Sequence, residues 1–133
     1  MLELADIVFL CAPLTPVTRG MIDRAAFAHF KPGSLLVNVA RGSLVVEADL
    51  VEALQNGSIA AAALDVTEHE PLPVDSKLWE LPNVIITPHV GGQSARRIDQ
   101  MTDFFCENLR RYLARTPLVN LVDKDLGFPR RTS

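Results

Sequence analysis

Cysteine is scarce: Cys11 and Cys106 are the only two in 133 residues, and no spacing between them suits a metal ion. That scarcity excludes a disulfide framework and leaves the expectation of two buried free thiols in a reducing compartment, the cytoplasm. Long hydrophobic runs are missing too; those such as Ile59 to Leu64 fall far short of a membrane span. The amino terminus, Met1-Leu2-Glu3-Leu4-Ala5-Asp6, has no basic lead and no cleavable apolar core, so it does not read as a secretory signal. Positive charge is not in excess. A formal net charge of −3 offers no broad basic field to nucleic acid or to an acidic membrane surface. Internal repeats and low-complexity tracts are absent as well.

What is present is the balance of a soluble globular protein, 48% apolar and 22% charged. The length suits one domain with a real core and is too short for two ordinary ones. Ile7-Val8-Phe9-Leu10-Cys11 reads as a buried strand, ended by Pro13 and Pro16, which keep the backbone extended. Asp23 caps a short helix through Phe30 that Lys31-Pro32-Gly33 stops. Leu35 to Val39 is a second strand with Arg41-Gly42-Ser43 as its exit turn, and a helix through Asp49 to Gln55 closes at Asn56-Gly57. Ile59 to Val66 is a third strand, so rich in alanine that a helix must pack closely on it. After a loop from Thr67 to Ser76, Val84 to Thr87 is a fourth strand. Apolar residues then recur at helical spacing from about Ser94 to Arg115, and Leu118 to Val122 is a last extended stretch. The tail from Lys124 is expected to fray.

This is α/β order. Its strands are apolar runs without polar alternation, as expected when both faces of a parallel sheet are covered. An open parallel sheet binds its ligand beyond the carboxyl ends of its strands, and there the chain places its candidate chemistry. Arg41, after the second strand, can fork onto a carboxylate and polarise a carbonyl, or simply pair with a local acid such as Glu47. Gly42 reads as a turn residue needing φ > 0. His89, after the fourth strand and before Gly91-Gly92, can exchange a proton with a ligand oxygen near neutral pH; the plainer alternative is a hydrogen-bonded loop histidine. A carboxylate beside it would fix its tautomer and stabilise the imidazolium, and Glu70 is one candidate, with Glu68 and His69 as competitors. Asp65 can hydrogen-bond a ligand amide or cap a turn. Together, one Arg, one Glu and one His from successive strands describe chemistry on an anionic keto or hydroxy acid and a proton.

The order of Cys11-Ala12-Pro13-Leu14-Thr15-Pro16-Val17-Thr18-Arg19-Gly20, Lys31-Pro32-Gly33, Asn38-Val39-Ala40-Arg41-Gly42, Ala63-Leu64-Asp65-Val66, Glu70-Pro71-Leu72-Pro73 and Pro88-His89-Val90-Gly91-Gly92 resembles the D-isomer-specific 2-hydroxyacid dehydrogenase family over nearly the whole chain. Glyoxylate/hydroxypyruvate reductases, phosphoglycerate dehydrogenases, D-lactate dehydrogenases, formate dehydrogenases and the C-terminal binding protein corepressors belong to it. The resemblance implies a partial Rossmann-like parallel sheet, the second half of a dinucleotide-binding domain, with a long carboxyl-terminal helix. Residues 1–117 would be the carboxyl-terminal part of that NAD(P)-binding domain, and 118–133 a returning segment and tail. It implies Arg41 on the substrate carboxylate and carbonyl, His89 as general acid/base and Glu70 as its partner. Ala40, Asp65 and Gly91 would hold the nicotinamide carboxamide, and Cys11, Ala12, Pro13 and Thr18 would lie along the adenosine and ribose. The implied cofactor is NAD or NADP, the implied assembly a homodimer, and no metal takes part.

Two departures from the family pattern stand out. Val46 occupies a helix start where members usually carry Asp. The Gly-x-Gly-x-x-Gly turn that binds pyrophosphate, and the residue after it that separates NAD from NADP, do not occur in these 133 residues. The expectation is therefore a truncated chain, inactive alone, that descends from an enzyme reducing 2-keto acids such as glyoxylate or hydroxypyruvate. The alternative is a non-catalytic binding or dimerisation module of the same descent, a remnant or a corepressor-like scaffold.

Overall fold

The computed structural model describes residues 1–129; of the tail expected to fray, Arg130 to Ser133 lie outside them. It divides into two units, Met1–Gly91 and Gly92–Ser133.

The first unit is built on a four-stranded parallel sheet of β1 (Ile7–Leu10), β2 (Leu35–Asn38), β3 (Ala61–Leu64) and β4 (Val84–Ile86), in the order β1-β2-β3-β4. The register pairs Phe9 with Val37, Val37 with Ala63 and Ala63 with Ile85. Because every strand runs the same way, the residues after Leu10, Asn38, Leu64 and Ile86 all emerge at one edge. Helix α1 (Arg24–Phe27) joins β1 to β2, and α2 (Glu47–Gln55) joins β2 to β3. Asp23 caps α1 as expected, its carboxylate accepting from the Ala26 amide at 2.9 Å, although the helix ends at Phe27 rather than Phe30. Val46 stands at the N-cap of α2 and makes no side-chain capping bond there.

The expectation of a sheet covered on both faces is corrected. Burial alternates along β1, β2 and β3: Val8, Leu10, Leu36, Asn38, Ala62 and Leu64 are buried, whereas Ile7, Phe9, Leu35 and Ile85 on the other face are 36–67% exposed. Sequential strand order accounts for this. Right-handed crossovers that always step the same way put every connection over one face, and there α2 buries Leu50, Val51, Ala53 and Leu54 with Leu36, Leu44, Ile59 and Leu78 in one core. The strands carry apolar side chains on both faces, but this unit covers only one. Cys11 is likewise exposed and Cys106 half-buried, not both buried; Cys11 lies just beyond the end of β1, outside the shelter of the sheet.

The second unit holds α3 (Arg97–Leu113) and, instead of an extended stretch and a frayed end, a small antiparallel pair of β5 (Val122–Asp123) with β6 (Phe128–Pro129). Asp123 builds its turn by accepting from the amides of Asp125 and Leu126, and Gly127 takes the left-handed φ of 77° that closes it. The Asn108 side chain holds the segment after the helix, accepting from the Val119 amide at 2.9 Å and donating to its carbonyl at 3.3 Å. Among the described residues no helix is long and apolar enough to cross a membrane.

Candidate active site

The carboxyl edge of the sheet gathers the candidate residues from four strands. At the exit of β2, the buried Asn38 shapes the turn: its amide oxygen accepts from the Ala40 N–H at 3.1 Å and its amide nitrogen donates to the Arg41 carbonyl at 3.0 Å. An apolar strand that ends in an internally hydrogen-bonded Asn presents the next side chain outward, and Arg41 is exposed there, one guanidinium N–H donating to the Ala40 carbonyl. Glu47 does not take it up; Glu47 accepts from the Ser76 hydroxyl.

Gly42 is corrected as a turn residue needing φ > 0, because its backbone is outside the left-handed region. The structure needs glycine there for another reason. A Cβ at Gly42 would lie 2.0 Å from both the carbonyl carbon and oxygen of Thr67, so the exits of β2 and β3 touch backbone to backbone. That contact sets Arg41 beside the loop that carries Glu70.

The three acids and bases of that loop are told apart by geometry. Glu70, which precedes a cis bond to Pro71, accepts from the Thr67 amide at 3.1 Å through one oxygen and meets Nδ1 of His89 at 2.7 Å through the other. Thr67 also donates its hydroxyl to the His69 carbonyl, which ties the loop down. The bond to His89 holds the Glu70 carboxyl below the usual 4.5, with the Thr67 amide and the Arg41 charge acting the same way against partial burial. An ionised Glu70 makes Nδ1 the protonated nitrogen and leaves Nε2 to take or give a proton. Both side chains are more than a third exposed, so the pair contributes at most about 1 kcal/mol to stability. Its effect is orientation.

Asp65, 7% exposed at the end of β3, is the most heavily bonded carboxylate of the site. One oxygen accepts from the Thr87 hydroxyl at 2.6 Å and the Val90 amide at 2.9 Å; the other accepts from the Gly91 amide at 2.7 Å. Those bonds, the Thr87 hydroxyl first, hold its carboxyl below the usual 3.8. A carboxylate offers about four lone pairs, so about one remains for a ligand N–H. Gly91 has spent its own N–H on Asp65, and a Cβ there would come within 2.9 Å of the same carboxylate. A cavity of about 580 Å³ opens beside these groups, lined by Asp65, Thr67, Glu70, Trp79, Thr87 and His89 among others.

At the exit of β1, Thr18 donates its hydroxyl to the Pro13 carbonyl at 2.7 Å and accepts from the Thr15 amide at 2.8 Å. The segment carrying Cys11, Ala12 and Pro13 is therefore held as a fixed loop, with Cys11 and Pro13 exposed and Ala12 half-buried. The structure thus brings Arg41, Glu70, His89, Asp65 and Gly91 together at adjoining strand exits and sets Cys11 to Thr18 at the exit of β1. Sequence reasoning assigned no role to Asn38, Thr67 or Thr87; a polar residue that closes an apolar strand was the available signal for two of them.

Residues 1–91, the first unit in full, match the family model described as D-isomer specific 2-hydroxyacid dehydrogenase, NAD binding domain. The chain belongs to the D-isomer-specific 2-hydroxyacid dehydrogenases. Glyoxylate/hydroxypyruvate reductase B of Serratia proteamaculans is 43% identical to it over 122 residues, 92% of this chain and 38% of that protein. Among solved structures, a D-isomer specific 2-hydroxyacid dehydrogenase from Xanthobacter autotrophicus Py2, crystallised with NADPH and MES, superposes with a TM-score of 0.84 at 45% identity, over 92% of this chain and 50% of that one. The NADPH-dependent glyoxylate/hydroxypyruvate reductase of Sinorhizobium meliloti, crystallised with NADP and sulfate, gives 0.86 at 36% identity, over 96% and 41%. The chain spans half or less of the length of each. Its Rossmann-like parallel sheet and the long helix α3 are as the resemblance implied.

Proposed function

We propose that this chain supplies the substrate-orienting and proton-transferring part of an NAD(P)-dependent enzyme that reversibly reduces 2-keto acids such as glyoxylate or hydroxypyruvate to D-2-hydroxy acids. The contact of Glu70 with Nδ1 of His89, beside Arg41 at one sheet edge, carries the reading. Arg41 would fork onto the substrate carboxylate and draw the neighbouring carbonyl oxygen towards its guanidinium. His89 would deliver a proton from Nε2 to that oxygen on reduction and retrieve it on oxidation, while Glu70 stabilises the imidazolium form. Bound nicotinamide would supply or accept the hydride, chemistry that no side chain of this site can perform.

The site fits that cofactor. Asp65 keeps about one acceptor position for an amide N–H, next to Gly91 and the turn at Ala40, and the fixed Cys11, Ala12, Pro13 and Thr18 loop offers a wall for adenosine and ribose. The pyrophosphate-binding glycine pattern is not among these residues, so turnover would need that unit from outside the segment. The two free cysteines suit a reducing cytoplasm.

Calorimetric titration of the purified chain with NADH, followed by hydroxypyruvate, tests the reading. Binding of NADH at micromolar concentration, and keto-acid binding weakened at least about tenfold in Arg41→Ala, are the expected results. A folded chain that binds neither would make these residues a half-site of a longer protein, whereas hydroxypyruvate binding unchanged in Arg41→Ala would overturn the reading and favour a second one, which rests on the exposed apolar face of Ile7, Phe9, Leu35 and Ile85. In that case the chain is a non-catalytic dimerisation module that covers this face with a second copy, and light scattering would return twice the chain mass.

A further inference from the structure

His89 is an L-residue held at φ 55°, in the left-handed region, and such a backbone persists only where its surroundings over-determine it. Each neighbouring group is tied to the end of β3. The Thr87 amide donates to the Leu64 carbonyl at 2.9 Å, and Pro88 has a nearly fixed φ. On the far side, the Val90 and Gly91 amides both donate to Asp65, whose own amide is anchored on the Asn38 carbonyl at 2.9 Å. The Thr87 hydroxyl bonds the same Asp65 oxygen as Val90, so one carboxylate grips both sides of His89. The Cβ-free Gly91 lets the grip close.

We infer that Asp65 and Thr87 are positioning residues for His89: the carboxylate, aimed by the Thr87 hydroxyl, clamps the Val90 and Gly91 amides and thereby imposes the left-handed backbone that turns the imidazole onto Glu70. The inference rests on His89 as the proton-transferring group, but it concerns the placement of the ring rather than the identity of the substrate. Asp65 then acts mainly through the backbone and touches a ligand only with its one spare acceptor position.

The test is the tautomer of His89 in the full chain, read from its ring nitrogen shifts through the carbon-bound ring protons and assigned with His89→Ala. The unaltered chain should show Nδ1–H as the major neutral form, because Glu70 accepts from it. Thr87→Val keeps the shape and removes the hydroxyl, and Asp65→Asn keeps the shape and replaces one acceptor by a donor. Each should move the majority to the Nε2–H form while the amide signals of β1, β2 and β3 stay in place, and Thr87→Ser should restore Nδ1–H. Retention of Nδ1–H in either Thr87→Val or Asp65→Asn would overturn the inference. So would general unfolding of both, which would make the clamp a support of the sheet rather than of the ring. If the tautomer moves as expected and Arg41→Ala still binds hydroxypyruvate as the parent does, the clamp stands and the functional reading falls.

Discussion

Replacement of Gly42 by Ala, a single added methyl, tests the backbone contact on which the site is assembled. Carbon atoms rest about 3.5–4.0 Å apart at best contact, and the new Cβ would lie 2.0 Å from the Thr67 carbonyl carbon and oxygen and 2.5 Å from the Glu68 amide nitrogen. The exits of β2 and β3 would have to separate by roughly 1.5 Å. Neither neighbour is the tip of a flexible side chain, so rotamer change gives no relief. Overpacking that forces backbone to move costs about 1–3 kcal/mol and sometimes more, and this contact belongs at the upper end. Against a total stability of about 5–15 kcal/mol for a domain, a loss near 3 kcal/mol is severe. With a urea slope of about 2 kcal/mol per molar, the unfolding midpoint should fall by about 1.5 M. Gly92→Ala is the control. No atom lies within 4 Å of its added Cβ and its φ is not left-handed, so its stability should stay within about 0.5 kcal/mol of the parent. A Gly42→Ala midpoint within about 0.3 M of the parent would refute the close approach, and with it the reason that Arg41 and Glu70 share one corner.

Val46→Asp, which puts a capping side chain where α2 has none, should raise stability by about 0.5–1 kcal/mol, visible as a higher thermal midpoint; an unchanged or lower midpoint would count against the cap. Glu70 and Asp65 both titrate below their ordinary values of 4.5 and 3.8. A carboxylate with a lowered folded pKa stabilises fully above its unfolded value, and that contribution is lost as pH falls through the folded one. Stability should therefore decline below about pH 4.5, less steeply in Glu70→Gln, and an equal fall of the urea midpoint between pH 7 and pH 4 in the parent and in Glu70→Gln would contradict the assigned bond to His89.

How far the site was legible depended on the reach of each rule. Short-range rules worked: the Asp23 cap, the four strands and the helix centred on Met101 to Leu109 follow from patterns only a few residues long. Boundaries slipped where tertiary packing ends an element early, as at Phe27 and at both ends of β3. The β5–β6 pair escaped because two-residue strands carry no periodicity, and only the Asp123 turn marks them. The choice of Glu70 over Glu68 and His69 was open in the bare residues, since adjacent positions in an irregular loop carry no facing rule. The structure decides it by the 2.7 Å contact with His89.

By itself, the sequence determined that the chain is α/β, that its strands are apolar and parallel, and that Arg41, Asp65, Glu70 and His89 lie just beyond strand ends. Composition and local periodicity suffice for that, because they depend on neighbours in the chain. Tertiary structure alone decided which sheet face is covered, why Gly42 must lack a side chain, and what Asp65 holds. Asp65 and Gly91 are 26 positions apart and meet only because parallel pairing of β3 with β4 brings both strand ends to one edge. Strand order, not composition, places both crossover helices over the face of Leu36 and leaves Phe9 and Ile85 open on the other.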